Sequence, residues 1–305
     1  MPASWVAASV RGRLLAGRRL GRTGAAAVAG SGSLVGALQL LAGSPYGDDV
    51  TTDMTLESAQ RHTAATLMWN LRLLAGWLPP GGSQILQPLA AWFEIANIEE
   101  RLVYLEGGGH AAPYELGSLA TAWKAVSNAT TADAVREALA RSRWGDPGSS
   151  EPAAMLLTLR LRWAAWIAMA VPDADVWSAT ACALLAARIL FAPARPEIPS
   201  NARAYGLPAG WHQAPSPFEL RAMMPRQTSW ILEGITDPSE LWRAEARWWL
   251  RVKTDAREML VRSWYGPTVV VAAVALLAYD AWLTRAALAA AERGDAARRV
   301  FDAVA

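Results

Sequence analysis

Three sets of neighbouring carboxylates could do chemistry in this chain: Asp48-Asp49 with Asp53, Glu99-Glu100, and Asp173 with Asp175. Carboxylates four apart on one helical face can hold a divalent cation against a diphosphate, provided a second cluster completes the site. Asp49 and Asp53 have that spacing, but Asp48-Asp49 follows the helix stop at Gly47 and no second cluster is found. The histidines His62, His110 and His212 are far apart and lack a Cys, His or Glu partner at metal-ligand spacing, so each reads as a surface or interface residue. Cys182 sits between Ala181 and Ala183 and reads as packed core. A lone cysteine excludes an internal disulfide framework and fits a reducing compartment. Gly107-Gly108-Gly109 lacks the following Lys of a phosphate loop. Asn128-Ala129-Thr130 matches a glycosylation sequon, which means little without a secretion signal. Nothing assembles a nucleophile, a base and an oxyanion site, so no catalytic residue, cofactor or metal is expected.

The elements that would position any site are helical. Of 305 residues, 53% are hydrophobic and only 18% charged, with Ala and Leu dominant and β-branched runs scarce. Sixteen tryptophans favour helix seams and interface rims, where the indole buries area and its N–H finds a partner. A net charge of +2, without a basic run carrying interleaved aromatics, gives no case for nucleic acid. The most apolar stretches, Val269 to Ala278 and Trp163 to Val171, fall short of the roughly 20 residues of a membrane helix, so no direct span is expected. No acidic residue precedes Asp48, while Arg11, Arg13, Arg18, Arg19 and Arg22 crowd one stretch, as in a transit peptide. Val6, Val10 and Leu14 at i, i+4, i+8 predict instead an amphipathic first helix with a basic outer side.

Periodicity predicts helices over 5–20, 33–42, 54–77, 83–106, 114–126, 131–142, 151–171, 174–192, 238–263 and 267–293. Thr131 with Asp133, Ser150 with Glu151-Pro152, and Asp237-Pro238-Ser239-Glu240 mark starts. The connection 193–217 holds six prolines (Pro193, Pro196, Pro199, Pro208, Pro215 and Pro217) and the aromatics Tyr205 and Trp211 beside His212, with Phe218 just after it. It is either a pinned surface connection or a partner surface, with Trp211 and His212 as the contacts. On the helix from 238, Arg243, Arg247 and Arg251 line one edge, read as a solvated edge or a surface for an acidic partner.

One short phrase recurs three times: Leu41-x-x-Ser44-x-Tyr46-Gly47, Leu139-x-x-Ser142-x-Trp144-Gly145 and Leu260-x-x-Ser263-x-Tyr265-Gly266. Each closes a helical stretch, with a glycine able to turn left-handed and an aromatic plugging back onto the last turn. Three copies imply a repeated helical unit.

With these copies, Trp92-Phe93-Glu94-Ile95-Ala96-Asn97-Ile98 and Tyr265-Gly266-Pro267 running into Asp280, Arg285 and Gly294 give the chain a family likeness. It resembles the C-type central-stalk component of the A/V-type rotary ATPases, which corresponds to the d-type component of the vacuolar ATPase. Trp177 to Arg188 resembles the family's middle repeat helix, and Leu283 stands where the family pattern has a second Asn. The resemblance implies an all-α fold of three similar modules, about 1–110, 111–200 and 201–305, in a pseudo-threefold funnel. It also implies a non-catalytic central-stalk role, cytoplasmic and peripheral to the membrane, joining the shaft subunits to the rotor ring of a proton-translocating ATPase. Two other readings compete. One is a stand-alone α-helical scaffold; the other is a helical-bundle enzyme of terpene-cyclase type using the Asp48, Asp49 and Asp53 cluster.

Overall fold

The computed structural model describes residues 3–48, 50–109, 111–192, 196–199 and 202–304; Asp49, His110 and Pro193 lie outside them. Among the described residues there are fourteen α-helices and no strand. They are α1 Val6–Gly17, α2 Gly21–Ala29, α3 Leu34–Ala42, α4 Leu56–Ala75, α5 Ser83–Leu105, α6 Trp123–Val126 and α7 Ala132–Ala140. After them come α8 Pro152–Ala170, α9 Asp175–Leu190, α10 Pro217–Met223, α11 Arg226–Ser229, α12 Leu241–Arg262, α13 Pro267–Arg293 and α14 Asp295–Val304.

The chain divides into two compact units, one made of 1–82 with 249–305 and the other of 83–248. In the first, α1, α2, α4 and α14 pack around α13, whose Val and Ala residues are buried on nearly every face. Val28, Leu38, Leu41, Tyr46, Leu283, Leu288 and Phe301 form its core. In the second, α8 packs against both α5 and α9. Ile98, Val126, Val135, Leu139 and Leu159 fill the α5–α8 side, while Leu161, Cys182, Trp211, Leu220 and Ile231 fill the α9 side. Burial of each such aliphatic side chain stabilises the fold by roughly 1.5–3 kcal/mol.

Local chemistry sets the helix starts. Ser33, Thr55, Thr131 and Ser216 each accept from the backbone N–H three residues on. Asp237 and Glu240 close the expected capping box, on a 3-10 turn that leads into α12. At α8 the cap is Glu151 itself, accepting from Ala153 and Ala154, and Ser150 turns instead to Asp133.

Several expectations are corrected. The stretch 114–126 is a 3-10 turn at Gly117–Leu119 followed by the single-turn α6, not one helix. Helices α2 and α14 stand outside the helices expected from the sequence, and both pack on α13. Helix α1 is turned inside out: small residues Ala8, Ser9, Gly12 and Ala16 face the unit, while Val6, Val10 and Leu14 face outward. Gly12 explains the choice, because a Cβ there would come 3.2 Å from Ala273 Cβ. Helices α8 and α13, longer than the two apolar runs in the sequence, reach the length and apolarity of membrane helices, but most of each apolar window is buried against neighbouring helices.

Candidate functional site

The most highly organised polar groups are two buried side-chain carboxyls, each in the middle of a long apolar helix and each following an aromatic: Phe93-Glu94 on α5 and Tyr279-Asp280 on α13. Glu94 Oε1 accepts from the backbone N–H groups of Thr121, Ala122 and Trp123 at 2.7, 2.7 and 2.8 Å. Those groups are the orphan donors at the start of α6, so α5 supplies the cap that Ala122 cannot. Glu94 Oε2 accepts from Thr121 Oγ1 and, at 2.9 Å, from Trp144 Nε1.

Asp280 repeats the arrangement. Its carboxyl accepts from the backbone N–H groups of Leu20 (3.0 Å) and Gly21 (2.8 Å), at the start of α2, and from Tyr46 Oη at 2.9 Å. Burial raises the Asp280 pKa above its ordinary value, against the pull of these donors and of Arg19. Burial, and then the neighbouring Asp280, push the Tyr46 phenol well above its usual range, so it stays protonated and donates.

The aromatics are those of the first two motif copies, and the copies share their internal geometry. Ser44 and Ser142 each donate a backbone N–H to the motif leucine carbonyl at 2.9 Å. Their hydroxyls accept from the Tyr46 and Trp144 N–H groups at 3.1 Å. The backbone N–H groups of Gly47 and Gly145 close onto the serine carbonyls at 3.0 and 3.2 Å. The aromatic carbonyl is then held from the following helix, Tyr46 by His62 at 3.1 Å and Trp144 by Arg162 at 2.6 Å. The glycines serve differently: Gly145 has φ +70°, whereas at Gly47 a Cβ would lie 2.2 Å from the Ala42 carbonyl oxygen.

The third copy departs from this pattern. α12 ends at Arg262, inside this copy, with Ser263 N bonded to Met259 O at 2.9 Å, and Gly266 N donates to Ser9 Oγ at 3.0 Å. Tyr46 and Trp144 are each 4% exposed, but Tyr265 is 41% and Trp264 74% exposed. On α9, Ala181, Cys182 and Ala183 are buried, and burial pushes the Cys182 thiol up to about 12.

Asn97, one turn beyond Glu94, accepts from Tyr114 N at 2.7 Å and donates to Tyr114 O at 2.9 Å. Glu94 and Asn97 thus pin both ends of 114–123 to α5. The sequence names Glu94, Asn97, Asp280 and the motif aromatics Tyr46 and Trp144, but does not pair them, and Thr121 and the backbone donors at 20–21 and 121–123 carry no signature. The aromatic–acid pair inside an apolar helix is the signal by which the two sites could have been found.

Other candidates resolve into ordinary contacts. Arg243 pairs with Glu240 at 2.7 Å and lies over the Trp242 ring; Arg247 donates to the Glu233 carbonyl at 2.7 Å; Arg251 pairs with Asp255 at 2.8 Å. All three are already engaged within the chain. Trp211 is corrected from contact surface to core, 2% exposed, with His212 edge-on to it. Glu99 pairs with Arg160 at 2.7 Å, and Asp175 accepts from Tyr205. Asp48 and Asp53 lie in the connection before α4, not on a helix, so they do not form the one-faced carboxylate set that diphosphate chemistry needs. Among the described residues no group of three His, Cys, Asp or Glu could hold a metal ion.

Chemically, the two carboxyls are engaged acceptors, with five donors converging on Glu94 and three on Asp280. Their lone pairs are committed to helix starts and aromatic donors, which suits them to rigid positioning rather than proton transfer. Compared with known protein families and with curated proteins, the chain matches none.

Proposed function

We propose that this chain is a non-catalytic central-stalk subunit of a V/A-type rotary ATPase, coupling the shaft subunits to the membrane rotor ring from the cytoplasmic side. The observation that carries this reading is the recurrence of one node (buried acid, start of a short helix, motif aromatic) at Glu94 with Trp144 and at Asp280 with Tyr46. These are residues on which the family resemblance rests. The reading takes the body to be three related helical modules in a pseudo-threefold funnel, the one built on α9 having an apolar packed stretch in place of the acid. Fully satisfied buried networks hold helices in one arrangement, as a part that passes torque without chemistry requires. ATP turnover and ion transport then belong to the complex.

Affinity purification of the tagged chain from native membranes tests this. The expected result is co-purification of nucleotide-binding, shaft and ring subunits. Recovery of the chain alone would favour a free scaffold, and Mg²⁺-dependent turnover of an isoprenoid diphosphate would favour an enzyme. If Arg243→Glu, Arg247→Glu and Arg251→Glu together leave assembly intact, that edge of α12 is no interface.

A further inference from the structure

The outward face of α1 and the third motif copy form one exposed apolar surface on the first unit. Ser9 Oγ holds Gly266 N at 3.0 Å, and Arg13 donates to the carbonyls of Leu260, at 2.8 Å, and Ser263. The Arg13 guanidinium also lies 5.9 Å from the centre of the Trp264 ring. The α12–α13 turn therefore runs along the Ser9–Arg13 edge of α1. At about 100° per residue, Val6, Val10 and Leu14 are the next strip round the helix. Val10 and Leu14 are 46% and 51% exposed, and across the turn Val261 is 81% exposed beside Trp264 and Tyr265. In the other two copies the aromatic is consumed by a buried acid; here it is left at the surface.

The chain on and just after α1 is basic. Arg18 and Arg22 are exposed, Arg11 is half-buried, and no acidic residue precedes Asp48. At the far side Arg262 is exposed and pairs with Glu258 at 3.3 Å. Apolar side chains with an exposed indole, on a stretch whose charged residues before Asp48 are all arginines, match an anionic bilayer surface: the side chains enter the headgroup boundary and the guanidinium groups meet phosphates.

We propose that the α1 face, with Val261, Trp264 and Tyr265, docks the protein onto an anionic lipid surface. This stands on the surface of the first unit alone and not on the rotary reading.

Co-sedimentation of the full chain with phosphatidylcholine vesicles, with and without phosphatidylglycerol, tests it. Binding is expected to the anionic vesicles, weaker to neutral ones, and falling with added salt. Val10→Glu with Leu14→Glu should lower anionic-vesicle affinity by about tenfold or more, because two burials are lost and like charge is added. Circular dichroism and the melting temperature should not change, since both side chains are exposed. Arg18→Gln with Arg22→Gln should flatten the salt dependence while leaving folding intact. The proposal is overturned if the folded wild-type chain does not sediment with anionic vesicles, or if the glutamate pair binds as well as wild type. It is equally overturned if light scattering shows a dimer that the glutamate pair abolishes while no vesicle binding occurs, which would make the occupant a second copy.

Discussion

Replacing Glu94 should weaken the second unit in a graded way that depends on which oxygen is lost. Glu94→Ala removes the acceptor of three backbone N–H groups, one hydroxyl and the Trp144 indole. Loss of a helix cap costs about 1 kcal/mol. An indole N–H left buried without an acceptor costs about 1–3 kcal/mol more. A total on the order of 2–4 kcal/mol follows, a large share of the roughly 5–15 kcal/mol that holds a typical domain. Glu94→Gln can keep its carbonyl oxygen where Oε1 stands and so retain the cap. Its amide then faces Trp144 Nε1, donor against donor, for about 1–2 kcal/mol. In a Trp144→Phe background that conflict is absent, so Glu94→Gln should cost about 1 kcal/mol less. Urea unfolding followed by circular dichroism gives the cycle, and hydrogen exchange at the amides of Thr121, Ala122 and Trp123 locates it. Those amides should lose protection in Glu94→Ala and keep most of it in Glu94→Gln. If both variants cost the same, or Glu94→Ala costs under about 1 kcal/mol, the cap-and-plug account of this residue is wrong.

The buried tryptophan of the second motif copy and the exposed one in the third should respond unequally to truncation. Trp144→Ala should cost about 3–5 kcal/mol, as for a buried indole, whereas Trp264→Ala should cost no more than about 1 kcal/mol, its ring lying against Arg13 at an exposed site. Equal losses in thermal melts would contradict the asymmetry. Asp280 has its pKa raised by burial, so its protonated form is favoured in the folded chain. Its contribution is present below the ordinary value of 3.8 and is lost as pH rises through the higher folded value. The stability of wild type minus that of Asp280→Asn should therefore fall as pH rises from about 4, measured by urea midpoints across the acid range; a rising difference would refute the assignment.

Composition and period determined the helical class, and the start signals at Thr131 and Asp237 determined where the chain turns inward, because a cap depends on neighbours a few residues away. The recurrent Leu-x-x-Ser-x-aromatic-Gly was legible for the same reason, its serine hydrogen bonds being local. Only the tertiary structure decided what each copy does. Tyr46 and Trp144 find their acids 234 and 50 residues away, while Tyr265 stays at the surface. Helix α1 makes the same point. Its apolar period of four was plain in the sequence, but a period identifies a stripe and not the side that packs. Close approach to α13 at Gly12 admits only small side chains, so the small stripe turned inward and the valines were left facing out.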